Sequence, residues 1–130
     1  MSQPLILIVD DEDGVRESLK IVFSKNYRIQ EANSVAVAVQ KAREGNPAIV
    51  FLDILMPGAD GLQALMRIKE LNPHCQVIML TALNTDRTAS LAKEAGAFDY
   101  VVKPFDIEEL RHKVEGALKK SREMVRGSGT

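Results

Sequence analysis

Three unbroken apolar blocks, LILIV at 5–9, AIVFL at 48–52 and VIML at 77–80, constrain this chain more than any other feature. A strand with one wet face alternates apolar and polar residues, so a solid run of Val, Ile and Leu implies burial on both faces. Such strands belong to the interior of a parallel sheet with helices above and below it. YRIQ at 27–30 and FDYVV at 98–102 carry strand-forming residues of mixed polarity, which places them nearer the edges of the same sheet.

Parallel strands need a crossover of about a dozen residues, usually helical, and the intervening stretches read that way. Val15, Leu19, Val22 and Phe23 fall at i, i+4, i+7 and i+8, one face of a helix. Leu62, Leu65, Met66 and Leu71 mark another, which stops before Asn72-Pro73. Thr85 to Ala95 forms a further helix, closed by Gly96 as a left-handed cap. The last carries Ile107, Leu110, Val114, Ala117 and Leu118, with Asp106 placed to cap its start. SVAVAV at 34–39 alternates and reads as a strand by period alone. Ser34 as a cap, the alanines, the need for a crossover, and KAREG ending in a cap glycine favour a helix instead. Five strand–helix units in strict alternation predict an α/β open sheet. A chain of 130 residues fits one domain. We place it at 4–120, with 121–130 as a C-terminal tail, linker or cloning remnant, because SREMVRGSGT loses the apolar period.

The formal net charge is -1, so no global field favours nucleic acid or an anionic membrane. A single cysteine, Cys75, excludes an internal disulfide and suits a reducing compartment. MSQP lacks the basic start and apolar core of a secretion signal, and no apolar run reaches the roughly 18 residues of a membrane span. The expectation is a soluble cytoplasmic protein.

In a parallel sheet all strand ends lie on one edge, and open α/β sheets bind ligands there. After the first strand come Asp10 and Asp11, after the third Asp53, after the fourth Thr81 and Ala82, after the fifth Lys103-Pro104. Three carboxylates at short range are unfavourable unless a cation joins them, and hard oxygen ligands completed by water suit Mg²⁺. The hydroxyl of Thr81 and the ammonium of Lys103 complete a phosphate-sized pocket. Asp53 at its centre could attack phosphorus and hold an acyl phosphate.

The pair Asp10-Asp11, the stretch LDILMPGADG around Asp53, Thr81-Ala82, and GAFDYVVKPF ending in Lys103-Pro104-Phe105 together resemble the receiver domain of two-component response regulators. The resemblance runs from about Leu5 to Lys119, with four motifs in order and register. It implies a flavodoxin-like, doubly wound five-stranded parallel sheet in the order 2-1-3-4-5 with five helices. It implies Asp53 as the phosphoacceptor for a histidine kinase or phosphotransfer protein. Asp11 and Asp53 would hold Mg²⁺ through side chains, Leu55 through its carbonyl, and Asp10 through a water. Thr81, the Ala82 N–H and Lys103 would bind phosphoryl oxygens, and Tyr100 would be the aromatic switch residue. Lys103-Pro104 would be a cis peptide. The switching surface would be the fourth helix, fifth strand and fifth helix. A homodimer through it is a further option, with Arg87, Lys93, Asp99 and Arg111 available to pair across it. The domain would bind no nucleic acid directly and turn over no substrate beyond its own phosphoryl group.

Plainer readings apply to some residues. Glu12 and Asp13 suit a helix start. His74, His112 and the cluster Lys119, Lys120, Arg122 and Arg126 read as solvated surface, and Cys75 as packing. Asp11-x-Asp13-Gly14-Val15 resembles the strand-end motif of haloacid-dehalogenase-like phosphatases, the rival reading, although the later aspartate pair of that family is missing. Leu55 and Leu83 are apolar where a hydrolytic water would need orienting, which predicts a long-lived phosphoform.

Overall fold

The computed structural model describes residues 3–56, 60–82 and 86–128. Strands and helices alternate without exception: β1 (Leu5–Val9), α1 (Asp13–Phe23), β2 (Arg28–Ala32), α2 (Val35–Gly45), β3 (Ile49–Asp53), α3 (Gly61–Leu71), β4 (Gln76–Thr81), α4 (Asp86–Glu94), β5 (Asp99–Val102) and α5 (Ile107–Ser128). The five strands form one parallel sheet in the order β2-β1-β3-β4-β5, a flavodoxin-like doubly wound topology. The three solid apolar blocks are the inner strands and the two mixed ones the edges, as their patterning requires.

Each inner strand feeds two cores. Leu7, Val9, Val50, Leu52, Val77 and Met79 face α2, α3 and α4, packing on Ala38, Ala42, Leu65, Ile68 and Ala92. Ile6, Ile8, Ile49, Phe51, Ile78 and Leu80 face the other way onto Leu19 and Phe23 of α1 and Leu110, Val114 and Ala117 of α5. Phe23 anchors that side, with its ring centroid 5.6 Å from Phe51 and 6.0 Å edge-on from Tyr27. Burying a side chain such as Phe51 completely contributes about 1.5–3 kcal/mol, so these inner strands fix the sheet edge that carries the chemistry.

Local signals hold at most helix ends. Ser34 Oγ accepts from Val37 N–H at 3.3 Å, so the alternating Val-Ala stretch is a helix. Asp60 caps α3 through Leu62 and Gln63 N–H, and Asp106 accepts from Glu109 N–H at 3.0 Å. Gly96 has φ 103° after α4, as a left-handed terminus demands. At Gly61 an added Cβ would lie 2.7 Å from the Cα and carbonyl oxygen of Ile54, so only glycine lets α3 start so close to the end of β3.

Four expectations need correction. The left-handed residue closing α2 is Asn46 at φ 51°, not Gly45, which stays helical; Asn tolerates that region almost as readily. Met66 is 51% exposed, because the inner face of α3 runs through Ala64, Leu65 and Ile68. Residues 121–128 continue α5 rather than forming an irregular tail. Ser121 is buried there and Gln76 Nε2 meets Met124 Sδ at 3.3 Å, so contacts with the sheet replace the lost apolar period. Finally, Asp53 and Thr81 are the last residues of their strands rather than the first beyond them. The predicted helix start at Thr85 lies outside the described residues.

Candidate functional site

The ends of β1, β3, β4 and β5 bring Asp10, Asp53, Thr81 and Lys103 to one edge. Register explains it: Val9 pairs with Leu52, Asp53 with Leu80, and Thr81 with Val102, so the strands stop in step. Asp10, Asp53 and Thr81 are buried, whereas Asp11 and Ala82 are exposed. One carboxylate oxygen each from Asp10, Asp11, Glu12 and Asp53 lies within 4.8 Å of all the others.

Among the described residues a single ammonium answers this charge. Lys103 Nζ donates to Asp10 Oδ2 at 2.8 Å, to Glu12 Oε1 at 3.3 Å and to Asp53 Oδ2 at 3.4 Å. Its side chain is only 15% exposed. The Lys103 backbone N–H donates to the Thr81 carbonyl at 2.7 Å, which ties the residue to the end of β4, and Lys103-Pro104 is cis. The carboxylates are also aimed from the backbone: Asp10 Oδ1 accepts from Glu12 N–H and Asp53 Oδ1 from Leu55 N–H, each at 2.9 Å.

The electrostatics follow the burial. Desolvation pushes the Asp53 carboxyl up from its ordinary 3.8, and the charge of Asp10 adds to it; the Leu55 N–H and Lys103 oppose without prevailing. Burial alone would lower Lys103, but its hydrogen bond to Asp10 and the charges of Asp10 and Asp53 outweigh that, so the ammonium is held above 10.5. Four carboxylates against one ammonium leave room for a further cation. An all-oxygen donor set, half buried and half open to water, fits a hard divalent ion such as Mg²⁺.

Other predicted residues lie outside the carboxylate group. Leu55 is exposed just beyond β3, and Tyr100 is half-buried in β5 against the core that faces α2, α3 and α4. Leu83 lies outside the described residues. Asp99 and Arg111 already have partners within the chain, Lys113 at 2.7 Å and Glu108 at 3.0 Å. That reduces what they offer to a second copy. Cys75 is fully buried, and burial pushes its thiol up to about 12, which makes it inert packing.

Two residues of this site escaped the sequence reading. Glu12 is the N-cap of α1 in position only: its side chain makes no cap bond and instead turns to Lys103. Arg16 grips the acidic turn from behind. Its Nη1 donates to the Asp10 carbonyl at 2.6 Å, Nε lies 3.4 Å from Glu31, and Nη2 pairs with Asp13. The available signal was that Arg16 is the first basic residue after four acids. Asp13 corrects the phosphatase alternative. Its side chain is 93% exposed and paired to Arg16, outside the carboxylate group, so Asp11 and Asp13 do not form a shared site.

No helix among the described residues is long and apolar enough to cross a membrane. Residues 6–115 match the family model of the response regulator receiver domain. The chain is 41% identical over 114 residues to the regulatory protein AtoC of Escherichia coli, covering 87% of this chain and 25% of AtoC. It is 37% identical to the transcriptional regulatory protein ResD of Bacillus subtilis, covering 89% of this chain and 48% of ResD. It therefore spans between a quarter and a half of these relatives. The BeF3-activated receiver domain of DrrB superposes with a TM-score of 0.84 at 30% identity, over 90% of this chain and 98% of that one. With a parallel sheet in the right order, the acidic edge it carries, and a family match over most of its length, the chain belongs to the response regulator receiver domains of two-component signalling.

Proposed function

We propose that Asp53 is the phosphoacceptor of this domain and that a histidine kinase or phosphotransfer protein is its donor. The observation that carries this reading is the placement of Asp53: a buried carboxylate at a strand end, 3.4 Å from the one ammonium that, among the described residues, meets a four-carboxylate group. A carboxylate oxygen attacks the phosphorus of a phosphohistidine. The P–O bond forms as the P–N bond breaks, and the imidazole leaves and takes a proton from water. Asp10, Asp11 and Asp53, with the Leu55 carbonyl and with Glu12 at the rim, are the groups to hold Mg²⁺. When bound, the ion supplies the positive charge that lets an anionic donor approach anionic oxygens. Lys103, the Thr81 hydroxyl and the Ala82 N–H receive the phosphoryl oxygens.

Phosphorylation adds about -1.5 to -2 charge and three acceptors at one point. Drawing Thr81 toward that charge frees space for Tyr100, and α4, β5 and α5 become the responding surface. That surface, rather than turnover of a free substrate, is the output, directed to another domain, a partner or a second copy. The reading places the chain in the cytoplasm, where the phosphodonor is made. The apolar Leu55 cannot orient an attacking water by hydrogen bonding, so the phosphoform is long-lived.

The test is phosphorylation by a small phosphodonor such as acetyl phosphate with Mg²⁺, followed by mass spectrometry. One acid-stable, base-labile phosphoryl group on Asp53, absent from Asp53→Asn, is the expected result. Equal uptake by Asp53→Asn overturns the assignment.

A further inference from the structure

At the amino end of the sheet the first residues of β1, the start of β2 and the turn before β4 meet the last turns of α5. They line an open surface hollow of about 540 Å³. Its wall carries Arg28 from β2, His74 from the turn before β4, and Arg122 and Arg126 from α5, and no carboxylate lines it among the described residues. Leu5 and Leu118 form part of an apolar flank.

The backbone acceptors here are already satisfied by the protein. Arg28 N–H donates to the Pro4 carbonyl at 2.9 Å, Ala48 N–H to Leu5 at 3.0 Å, and Gln76 N–H to Ala48 at 2.9 Å. Gln76 Nε2 takes the His74 carbonyl at 3.0 Å. The cationic heads are not matched in this way. Arg28 Nε spends one donor on the Gln3 carbonyl at 3.0 Å. Among the described residues, no carboxylate comes within ion-pair distance of Arg28, Arg122 or Arg126. Glu115 and Glu123 stand beside Arg122 and Arg126 in a neighbouring hollow along α5, yet neither closes a pair with them. The dipole of α5 favours arginines near its end, but it accounts for neither Arg28 nor His74, which arrive from other elements. On a chain of net charge -1, this is a local concentration of positive charge that packing does not need.

We propose that this hollow binds a small phosphorylated organic anion. Guanidinium groups offer planar, paired donors to phosphate oxygens, and arginines from two separate elements match an anion with several charges better than a lone carboxylate. The volume lies within the range of small-molecule sites, about 300–1,000 Å³, and the Leu5 and Leu118 flank receives the organic part. The site is remote from Asp53 and does not depend on how that residue is read.

The experiment titrates the whole chain, free of Mg²⁺ and at fixed ionic strength, with inorganic tripolyphosphate and with a ribonucleoside triphosphate. Amide chemical shifts are the readout. Asp53→Asn is run in parallel to remove any contribution from the acidic edge. Saturable shifts confined to residues around Arg28, His74 and Arg122 are expected, with a Kd below about 1 mM and tighter binding of the nucleotide. Arg28→Gln and Arg122→Gln should each weaken it by about tenfold while the remaining spectrum stays folded. If Arg122→Gln does not fold, Arg28→Gln alone decides. No saturation by about 10 mM, shifts reproduced by matched sodium chloride, or unchanged affinity in the folded variants overturns the proposal. So does binding seen only with duplex DNA or anionic vesicles.

Discussion

At the carboxyl end of the sheet Asp10 and Asp53 are buried and share Lys103 with Glu12, whereas at the amino end Arg28, Arg122 and Arg126 stand exposed with no carboxylate in reach among the described residues. The same fold thus carries two charged rims with opposite energetics. Charges taken from water cost several kcal/mol each unless paired, so the acidic rim is held together by one ammonium and backbone N–H groups and remains short of positive charge. The arginine heads keep most of their hydration and cost the fold almost nothing. Buried charge makes a site that must respond to what arrives, while exposed charge makes one that waits.

The sharpest way to break this comparison is to remove the one shared counter-ion. Lys103→Met leaves the buried carboxylates unanswered and is expected to cost about 3 kcal/mol of metal-free stability. For a domain of this size that lowers Tm by roughly 12 °C. Thermal unfolding in EDTA measures it, and a loss below about 1 kcal/mol would mean that the acidic rim is already solvated. Next in size is Mg²⁺ itself. At a hundredfold excess over Kd it should stabilise the wild-type chain by about 2.7 kcal/mol, roughly 10 °C in Tm, and Asp10→Asn should abolish most of that gain. An equal gain in both proteins would place the ion elsewhere.

How much of this was visible in the sequence depends on what sets each feature. The sheet and the convergence of Asp10, Asp53, Thr81 and Lys103 were legible, because solid apolar runs have one stable environment and parallel strands end on one edge. Glu12 was not. Whether its side chain caps α1 or turns to Lys103 depends on the backbone at the turn, φ -91° and ψ 118°, and on a lysine 91 residues away. Gly45 and Asn46 were ambiguous because both residue types tolerate a left-handed helix end. The arginine hollow was hidden for a different reason. Arg28, His74 and Arg126 come together only once α5 runs on past residue 120, and the apolar period does not extend that far.

Arg16 tests whether the acidic turn needs support from behind. It makes a charge-assisted bond to the Asp10 carbonyl and faces Glu31. Arg16→Gln should therefore lose about 1.5–2 kcal/mol of stability and weaken Mg²⁺ binding several-fold, because Asp10 and Glu12 lose their fixed direction. Calorimetric titration with Mg²⁺ separates the two effects. Lost stability with unchanged affinity would reduce Arg16 to a packing residue. Asp53→Asn probes the other side of the same balance. Because burial lifts the Asp53 carboxyl above 3.8, ionising it works against the fold at neutral pH when no cation is bound. The asparagine variant should be the more stable protein at pH 7 in EDTA. The gap should shrink as pH falls through the raised folded value and vanish below 3.8, where the wild-type carboxyl is protonated in both states. Urea unfolding across that range gives the sign directly, and a less stable asparagine variant at pH 7 would contradict it.

The smallest expected effect sharpens the contrast most. Arg28→Gln at the amino end removes an exposed head that, among the described residues, meets only the Gln3 carbonyl, so stability should change by no more than about 0.5 kcal/mol. Arg122→Gln should behave alike. Near-neutral stability together with a measurable loss of phosphate-ester binding would separate recognition from folding at this rim, which no substitution at the acidic rim can do. A cost above about 1 kcal/mol for either change would mean that the arginines hold α5 to the sheet. The asymmetry between the two ends would then be one of packing and not of charge.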